Sequence, residues 1–358
     1  MILPVYVNGK FAAQRTTGVQ RVAREILCAL DDQVAAVGWT LLCPPSADPP
    51  PLRRIAVRRL GPPSWPLHAW EQLVLPWAAR DGVLINLAGA VPAAARRQLA
   101  LLHDAAVFDQ PEAYSPAFRL WYRCLFRHLA RRGDTLMTVS EFSRLRLSEA
   151  LSVPASRLGR LRPGSEHLQH VVADERVLDI HGLRDSTFVL AVGSANPTKN
   201  LDALVEAWRL PGFAAQRLVI AGGAQARVFA ASERNDVPGL LRLGPVDDAA
   251  LVALYRHARV LVFPSVYEGF GLPPLEAMGQ GCPVLAARAG AIPEVCGDAV
   301  LYLDDVSPAS IREGLQRILA DATLRAHLRE AGRTQAGHYR WELAAADLLR
   351  ALQQSLGH

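Results

Sequence analysis

The sequence predicts an α/β protein with two parallel β-sheets, one in each half of the chain. Short apolar segments alternate with helical patterns from end to end. The segments are almost continuously apolar, which is typical of parallel strands covered by helices on both faces. The length of 358 residues suits about two domains. Each half is therefore expected to form its own Rossmann-like unit.

The predicted strands divide the chain into two domains. In the first half they are Ile2–Val7, Thr40–Cys43, Val83–Asn86, Leu99–His103 and Thr135–Val139. In the second half they are Phe188–Gly193, Leu218–Gly222, Val260–Pro264, Val284–Ala287 and Val300–Leu303. Residues 163–185 lack this pattern and are predicted to connect a first domain (1–165) to a second (166–340). A final helical pattern over residues 341–358 is expected to pack back on the first domain.

The composition is that of a soluble, core-forming protein. Half of the residues are hydrophobic, and no charge-free stretch reaches the roughly 18 residues of a transmembrane helix. The first ten residues have no basic region before their apolar run, so no signal peptide is predicted. The five cysteines form no C-x-x-C pair, which argues against a disulfide framework or a zinc site. We expect a cytoplasmic protein.

Positive charge is concentrated in the first half. Residues 1–170 contain 21 Arg or Lys against 13 Asp or Glu, whereas the rest contain 18 against 21. The excess indicates either an anionic partner or an Arg-rich solvated surface. The chain has only two lysines, Lys10 and Lys199, which fits the second explanation. No nucleic-acid recognition motif accompanies the charge, so nucleic acid is not an expected partner.

The densest motif is Tyr-Glu-Gly-Phe-Gly-Leu-Pro-Pro-Leu-Glu-Ala-Met at residues 267–278, directly after a predicted strand. Gly269 and Gly271 allow a tight turn, and the two prolines suit the first turn of a helix. A strand, a glycine turn and a helix N-terminus form an anion site at the carboxyl edge of a parallel sheet. Glu268 and Glu276 would flank the anion and accept hydrogen bonds from sugar hydroxyls.

A second motif, Val-Gly-Ser-Ala-Asn-Pro-Thr-Lys-Asn at residues 192–200, also follows a predicted strand. Its Lys199 lies near the start of the next predicted helix. At ~4 Å and an effective dielectric near 20, a cation attracts one phosphate charge by roughly 4 kcal/mol before desolvation, more than a helix dipole supplies. Lys199 is therefore predicted to dominate the binding of a diphosphate.

These motifs resemble the retaining glycosyltransferase family 4, which has the GT-B fold of two Rossmann-like domains facing across a cleft. The segments VGSANPTKN, IAGG, LGPVDDAALVALYRHA and YEGFGLPPLEAMGQGCPV match the family in order across the second half. The resemblance implies that Glu268 contacts the donor sugar, that Glu276 binds the ribose and that Lys199 binds the diphosphate. The donor site that it implies also includes Gly193, Ser194, Gly222, Gly223, Val246, Gly269, Phe270, Gly271 and Leu272. Ser194 departs from the family pattern, in which many members have Arg. Taken singly, the glycines could be simple turn formers.

The first domain supplies further candidates. Gly18, in the stretch Thr-Thr-Gly-Val-Gln-Arg, opens a predicted helix and would let the backbone approach the donor. No G-x-G-x-x-G fingerprint occurs at this turn, which argues against a nicotinamide dehydrogenase. His103 and Asp104 close a predicted strand, where α/β sheets place working residues. The resemblance implies that His103 touches the donor hexose, and Asp104 is expected to orient His103 or to bind the acceptor. Ser140 is predicted to cap a helix.

Residues 116–132 form a predicted amphipathic helix with one apolar, aromatic-rich side. Arginines recur every four residues on another side, at Arg119, Arg123, Arg127 and Arg131. Such a helix can lie on anionic lipid headgroups, or it can pack on the core with a solvated arginine face. Because members of the family often use lipid-linked acceptors, we favour the inner membrane surface, with Arg119 and Arg123 as acceptor contacts.

The mechanism implied is metal-independent. No D-x-D motif ends a predicted strand, so neither a metal nor another cofactor is expected. Charge on the leaving diphosphate would be met by Lys199, helix N-termini and the N–H groups of residues 269–272. Lys199, Glu268 and His103 form the expected catalytic set, and the resemblance implies retention of the anomeric configuration.

The sugar is inferred from the first domain. The stretches TTGVQR and HDAAVFDQPEAYSPAFRLWYR look most like members that build bacterial surface polysaccharide from mannose or rhamnose. GDP-mannose is the favoured donor, ahead of dTDP-rhamnose and UDP-hexoses such as UDP-glucose, with a glycan or polyprenyl-linked acceptor. The alternatives are a sugar-nucleotide epimerase of the same fold and a non-catalytic binding subunit.

Overall fold

The computed structural model describes residues 3–35, 38–213, 215–223 and 237–356. The chain divides into two compact units. Unit 1 comprises residues 1–164 and 340–358, and unit 2 comprises residues 165–339. Ile2, where the first predicted strand begins, and residues 357–358, where the last predicted helix ends, lie outside the described residues.

The strands of unit 1 all run parallel. They are β1 (Val5–Asn8), β2 (Trp39–Cys43), β3 (Ala56–Arg59), β4 (Val83–Asn86), β5 (Gln98–Leu101), β6 (Thr135–Thr138) and β7 (Leu158–Arg160). Within the described residues they form one sheet in the order β3-β2-β1-β4-β5-β6-β7. The order reverses direction between β1 and β4, which makes this the switch point of the sheet.

Unit 2 has a second parallel sheet. Its described strands are β8 (Thr187–Val192), β9 (Gln216–Ala221), β10 (Leu240–Gly244), β11 (Val260–Phe263), β12 (Val284–Ala286) and β13 (Leu301–Tyr302). Their order is β10-β9-β8-β11-β12-β13, so the switch point lies between β8 and β11. Both sheets confirm the predicted α/β class.

Helices connect the strands in both units. They are α1 (Gly18–Gln33), α2 (Leu67–Ala78), α3 (Ala106–Asp109), α4 (Pro116–Arg132), α5 (Glu141–Leu151), α6 (Arg176–Ile180), α7 (Leu201–Arg209), α8 (Asp248–His257), α9 (Leu272–Gly279), α10 (Ile292–Cys296), α11 (Pro308–Ala320), α12 (Ala322–Gly337) and α13 (Trp341–Leu356). The predicted cap is confirmed, because the Ser140 hydroxyl accepts a hydrogen bond from Ser143 N at 3.0 Å. In the described part of the chain, none of the helices has the length and apolar character that crossing a membrane requires.

Helix α13 belongs to unit 1 although it follows unit 2 in the chain. It packs against α1. At one end of this contact, Gln33 Nε2 donates to Glu342 O at 2.9 Å. The buried side of α13 includes Trp341, Leu348 and Leu352, each at most 4% exposed. The last helix therefore completes the apolar core of unit 1.

Each predicted strand has an observed counterpart, but three strands were missed. These three, β3, β7 and β10, all lie at sheet edges. All four residues of β3 are exposed, and β10 is only half-buried. An edge strand is solvated along one side, so it lacks the continuous apolar pattern used to find strands.

Two other expectations need correction. The strand predicted as Leu99–His103 ends at Leu101, so His103 lies in the following loop. Residues 165–185 do not form a free connection, because unit 2 begins at Ser165 and this stretch contains α6. It is fastened to α8 by a hydrogen bond from Asp174 N to Ala249 O at 3.0 Å. Its many polar residues made it resemble a linker.

A buried ion pair lies at the carboxyl end of β1. Lys10 Nζ is 2.7 Å from Glu71 Oε2 on α2, and the side chains are 4% and 1% exposed. Asn8 Nδ2 donates to Glu71 Oε1 at 3.1 Å and to Asn86 Oδ1 at 3.0 Å. These hydrogen bonds compensate charges that would otherwise be expensive to bury. The network ties α2 to β1 and β4.

We expect Lys10→Met to destabilise unit 1 by about 3–5 kcal/mol, because it leaves the Glu71 carboxylate buried without its cation. The double variant Lys10→Met/Glu71→Met should recover part of this loss. Breaking the exposed pair Arg333–Glu330 with Arg333→Met should cost less than about 1 kcal/mol. Urea unfolding measures all three, and equal losses for Lys10→Met and Arg333→Met would contradict the expectation.

Candidate active site

The candidate site lies at the switch point of the unit 2 sheet. From β8 the chain moves to β9 and β10 on one side, and from β11 it moves to β12 and β13 on the other. The carboxyl ends of two such neighbouring strands form the crevice where open α/β sheets bind ligands. Lys199 follows β8 and Glu268 follows β11. The two residues therefore reach the same crevice from separate motifs.

Lys199 is held by a short turn before α7. It ends the 3-10 turn Pro197–Lys199, and its backbone N–H donates to Asn196 O at 2.9 Å. Asn200 adopts a left-handed conformation, with φ of 53°, at the start of α7. The aliphatic part of Lys199 lies 3.5 Å from the position that a Cβ on Gly193 would occupy. The local backbone thus fixes the position from which the Lys199 side chain extends.

Lys199 and Glu268 form an ion pair. Lys199 Nζ donates to Glu268 Oε1 at 2.5 Å, and the side chains are 21% and 10% exposed. The ammonium also lies 5.5 Å from the centre of the Phe263 ring. Partial burial strengthens the attraction between the charges, since less water screens them. A cation and a carboxylate are thereby presented together at the crevice.

The backbone around Glu268 is fastened to two other loops. Ala291 N donates to Glu268 O at 3.0 Å, and Val266 N donates to Thr198 O at 2.8 Å. At Gly290, where φ is +59°, a Cβ would lie 2.6 Å from Glu268 N. Glycine is required there both by the conformation and by the close approach. The loops that follow β8, β11 and β12 are therefore held as one body.

The predicted succession of strand, glycine turn and helix is confirmed and corresponds to β11, the turn after it and α9. Gly271, with φ of +109°, precedes α9, and the two prolines lie in its first turn. The residues of the turn and the first residue of α9 are buried: Gly269, Phe270, Gly271 and Leu272. The Phe270 ring packs edge-on against Tyr339 at 5.7 Å. The buried side chains of Phe270 and Leu272 therefore anchor the turn.

The glycines after β9 have a packing reason. A Cβ on Gly222, where φ is +99°, would lie 2.6 Å from Gly193 O, and one on Gly223 would lie 3.0 Å from the same atom. Both residues let the loops after β8 and β9 touch. Ser194 is exposed beside them, and Val246 is half-buried in the loop before α8. The turn-forming explanation therefore holds for Gly222 and Gly223 whatever they bind.

Glu276 lies in α9 and contacts two residues that sequence analysis did not single out. The Tyr255 hydroxyl donates to Glu276 Oε2 at 3.0 Å. His167 Nε2 lies 3.2 Å from Oε1, close enough for an ion pair when protonated but without the alignment of a hydrogen bond. Tyr255 is hidden in the apolar pattern of α8, and His167 falls in the stretch expected to be a linker. No local signal links either residue to Glu276.

In unit 1, His103 lies beside the end of β4. His103 Nε2 is 2.8 Å from Leu87 O, and the ring lies against Gly89. Burial lowers the pKa of His103 to about 4, although the hydrogen bond to Leu87 O opposes the shift. The imidazole is densely surrounded even though part of the residue stays accessible. At neutral pH the ring is therefore uncharged, and its proton belongs on Nε2.

Two other unit 1 candidates have structural contacts. Asp104 Oδ1 accepts a hydrogen bond from Ala106 N at 2.8 Å and so helps α3 to begin. This contact gives Asp104 a structural role, and its roles in orienting His103 or binding the acceptor stay predictions. Gly18 is the first residue of α1, and Thr17 precedes it in an extended conformation.

The arginines of α4 differ in their surroundings. Arg123 donates through Nε to Val107 O at 2.7 Å and through Nη2 to Phe108 O at 3.2 Å. Arg119 Nη1 lies 3.5 Å from Pro111 O. Both residues fasten α4 to the segment before it, a role that competes with binding an acceptor. Arg127 and Arg131 are exposed.

The second half of the chain matches a known protein family. Residues 175–335 match the family described as Glycosyl transferases group 1. Over 272 residues the chain is 33% identical to O-antigen chain mannosyltransferase B of Escherichia coli, covering 73% of this chain and 71% of that protein. It is 28% identical over 281 residues to the serotype-specific mannosyltransferase WbdA of Escherichia coli, covering 72% of this chain but 34% of that longer protein.

Several solved structures share the fold. Sucrose-phosphate synthase from Thermosynechococcus elongatus has a TM-score of 0.78 at 20% identity, with 99% of each chain covered. WaaG, a glycosyltransferase involved in lipopolysaccharide biosynthesis, has a TM-score of 0.70 at 18% identity, with 96% of this chain and 97% of WaaG covered. Anabaena HepE in complex with UDP and glucose has a TM-score of 0.74 at 16% identity, with 98% and 100% covered. These likenesses confirm the predicted GT-B fold.

We expect His103 to make the protein less stable as the pH falls from about 6.5 to 4. Its pKa is about 4 in the folded state and about 6.5 in an unfolded chain. The unfolded state therefore takes up the proton first and is favoured by acid. The free energy of unfolding should fall more steeply with acid in the wild type than in His103→Gln, which has no titratable side chain. Urea unfolding at several pH values tests this, and exposed His338→Gln is the control. Identical pH dependences for the wild type and His103→Gln would contradict it.

Proposed function

Because the chain belongs to the group 1 glycosyltransferases, we propose that it transfers a hexose from a nucleotide-sugar to a glycan or polyprenyl-linked acceptor. Membership of the family confirms the predicted class of enzyme, a hexosyltransferase. The observation that carries the finer proposal is the Lys199–Glu268 ion pair at the switch point of unit 2. It supplies a cation suited to a diphosphate and a carboxylate suited to sugar hydroxyls.

The proposed chemistry needs no metal. When the bond between the anomeric carbon and the diphosphate breaks, the leaving group gains negative charge. Lys199 is partly buried, so its charge stabilises that growing charge more than a fully solvated lysine would. The N-terminus of α9 and the backbone of the Gly269–Leu272 turn add aligned dipoles. Together they replace the charge that a divalent ion would provide.

The two glutamates have separate proposed roles. Glu268 accepts hydrogen bonds from hydroxyls of the donor sugar, and Glu276 accepts them from the ribose. Lys199 orients the Glu268 carboxylate before the donor arrives, which favours a preorganised site. We propose that the acceptor attacks the face that the nucleotide leaves, so the configuration at the anomeric carbon is retained.

His103 is proposed to contact the donor hexose through Nδ1. Because Nε2 carries the proton towards Leu87 O, Nδ1 of the neutral ring is an acceptor for a sugar hydroxyl. Gly18, at the start of α1, would contribute backbone N–H groups and the positive end of the helix dipole to the phosphates.

Mannose is the proposed sugar, with GDP-mannose as the donor. The support is the resemblance of the first-half stretches together with two relatives that are named mannosyltransferases. Rhamnose from dTDP-rhamnose and glucose from UDP-glucose are the alternatives. The proposed process is the synthesis of bacterial surface polysaccharide, because the named relatives include O-antigen enzymes.

We also propose a peripheral location on the cytoplasmic face of the inner membrane. Large apolar side chains are exposed on α2 and α4: Leu73 at 63%, Trp77 at 63%, Leu120 at 66% and Trp121 at 45%. Both helices hydrogen-bond to the same loop, since Gln72 Nε2 donates to Val91 O and Arg132 Nη1 donates to Ala93 O. Aromatic side chains beside exposed arginines suit an anionic headgroup region.

We expect Glu268→Gln and Lys199→Met each to reduce donor turnover by at least about 100-fold, because each removes a charge that acts on the transition state. The substrates are GDP-mannose, dTDP-rhamnose, UDP-glucose and UDP-GlcNAc, and the measurement is slow hydrolysis of the donor without acceptor. Glu330→Gln, which changes an exposed carboxylate of unit 2, should leave the rate unchanged.

Other results would reject the proposal. Turnover restricted to UDP-GlcNAc would indicate an epimerase-type enzyme instead. Failure to bind or turn over any of the four donors would indicate a non-catalytic subunit. Unchanged turnover in Glu268→Gln would exclude its role in the reaction.

We expect Arg127→Gln/Arg131→Gln to weaken binding to phosphatidylglycerol vesicles by about tenfold or more, because each basic residue at an anionic surface contributes about 1 kcal/mol. The double variant should fold normally, whereas Arg123→Gln should lower stability by removing the bonds to Val107 O and Phe108 O. Vesicle sedimentation measures the binding, with Arg317→Gln/Arg333→Gln in unit 2 as the control. Equal binding by both double variants would remove the membrane proposal.

A further inference from the structure

The carboxylate of Glu276 is held by a tyrosine that no sequence motif assigns. Tyr255 lies on α8 and is 0% exposed, and Glu276 is 7% exposed. The hydroxyl of Tyr255 donates to Glu276 Oε2 at 3.0 Å. His167 Nε2 approaches Oε1 at 3.2 Å from a third segment. Each oxygen of the carboxylate therefore has a neighbour from another part of unit 2.

The tyrosine hydroxyl is a permanent donor. Burial and the negative charge of Glu276 raise the pKa of Tyr255 well above its ordinary value of 10.0. Tyr255 is 0% exposed, and phenylalanine differs from it only by the hydroxyl, so Tyr255→Phe removes a polar group without changing the buried ring. A buried hydroxyl is costly unless it is hydrogen-bonded. Its contact with Glu276 is therefore the feature that requires tyrosine.

We propose that Tyr255 is a positioning residue that fixes the Glu276 carboxylate to receive the ribose hydroxyls of the nucleotide donor. The inference rests on the ribose role of Glu276 in the proposed function. A carboxylate has about four lone-pair sites, so the bond from Tyr255 does not by itself prevent Glu276 from accepting bonds from a diol. Because the side chain is already ordered, binding the ribose costs less conformational entropy. His167 Nε2 lies 3.2 Å from the other oxygen and limits where it can move by contact.

The test compares a nucleotide that has ribose hydroxyls with one that lacks them. Calorimetry gives the Kd of GDP or UDP, whichever the wild type binds more tightly, and of its 2′,3′-dideoxy analogue. We expect Tyr255→Phe to weaken binding of the ribonucleotide by up to about tenfold, the cost of ordering one mobile side chain on binding. Binding of the dideoxy analogue should change less than about twofold. In turnover, the KM for the donor should rise while kcat stays nearly constant.

A matched control removes another tyrosine hydroxyl from unit 2. Tyr302 donates to Gly297 O at 2.7 Å and has no place in the proposed site. Tyr302→Phe should leave both Kd values unchanged. Should Tyr255→Phe fail to fold, His167→Gln carries the same test at the other carboxylate oxygen. We expect His167→Gln to weaken binding by a smaller factor, about threefold, and only for the ribonucleotide.

The outcomes separate the inference from the function beneath it. Equal weakening of both nucleotides in Tyr255→Phe would show general support of the fold and overturn the inference. No change in either would overturn it too. Equal affinity of the wild type for the two nucleotides would reject the ribose role of Glu276, and the inference with it, while leaving sugar transfer intact. Failure of the wild type to bind any nucleotide would reject the proposed function itself.

Discussion

The site of unit 2 depends on the attraction between Lys199 and Glu268. Each charge is partly withdrawn from water, and each would be costly to hold there alone. Three loops are fastened around the pair by backbone hydrogen bonds, and the Glu268 backbone leaves no room for a side chain at Gly290. The pair also sets the electrostatics of the crevice, since an arriving anion meets a lysine that is already ordered.

Side-chain exposure distinguishes the structural lysine of the chain from the lysine that is proposed to bind a ligand. Each follows the first strand of its own sheet, and each pairs with a glutamate. The Lys10 side chain is 4% exposed and is closed in by α2, whereas that of Lys199 is 21% exposed. A ligand can reach only the second without unfolding its surroundings. The same pair of residue types thus joins two elements in unit 1 and forms the proposed site of unit 2.

Sequence reasoning found the features that are encoded locally. The glycine turn, the helix after it and the interior strands follow from patterns within about ten residues. The edge strands β3, β7 and β10 were missed because solvation along one side removes the apolar pattern. Tyr255 and Arg123 were missed as structural partners because their contacts depend on tertiary packing. The grouping of side chains around Glu276 joins α8, α9 and the Ser165–Asp185 stretch, and no spacing in the sequence encodes it.

The return of α13 to unit 1 has a consequence for biosynthesis. Unit 2 is complete once residue 339 has left the ribosome, but unit 1 still lacks the helix that packs on α1. The nascent first segment therefore exposes the apolar surface that Trp341, Leu348 and Leu352 later cover. Translation therefore finishes the second unit before the first, and the surface of α1 that α13 covers stays uncovered until the last helix has emerged.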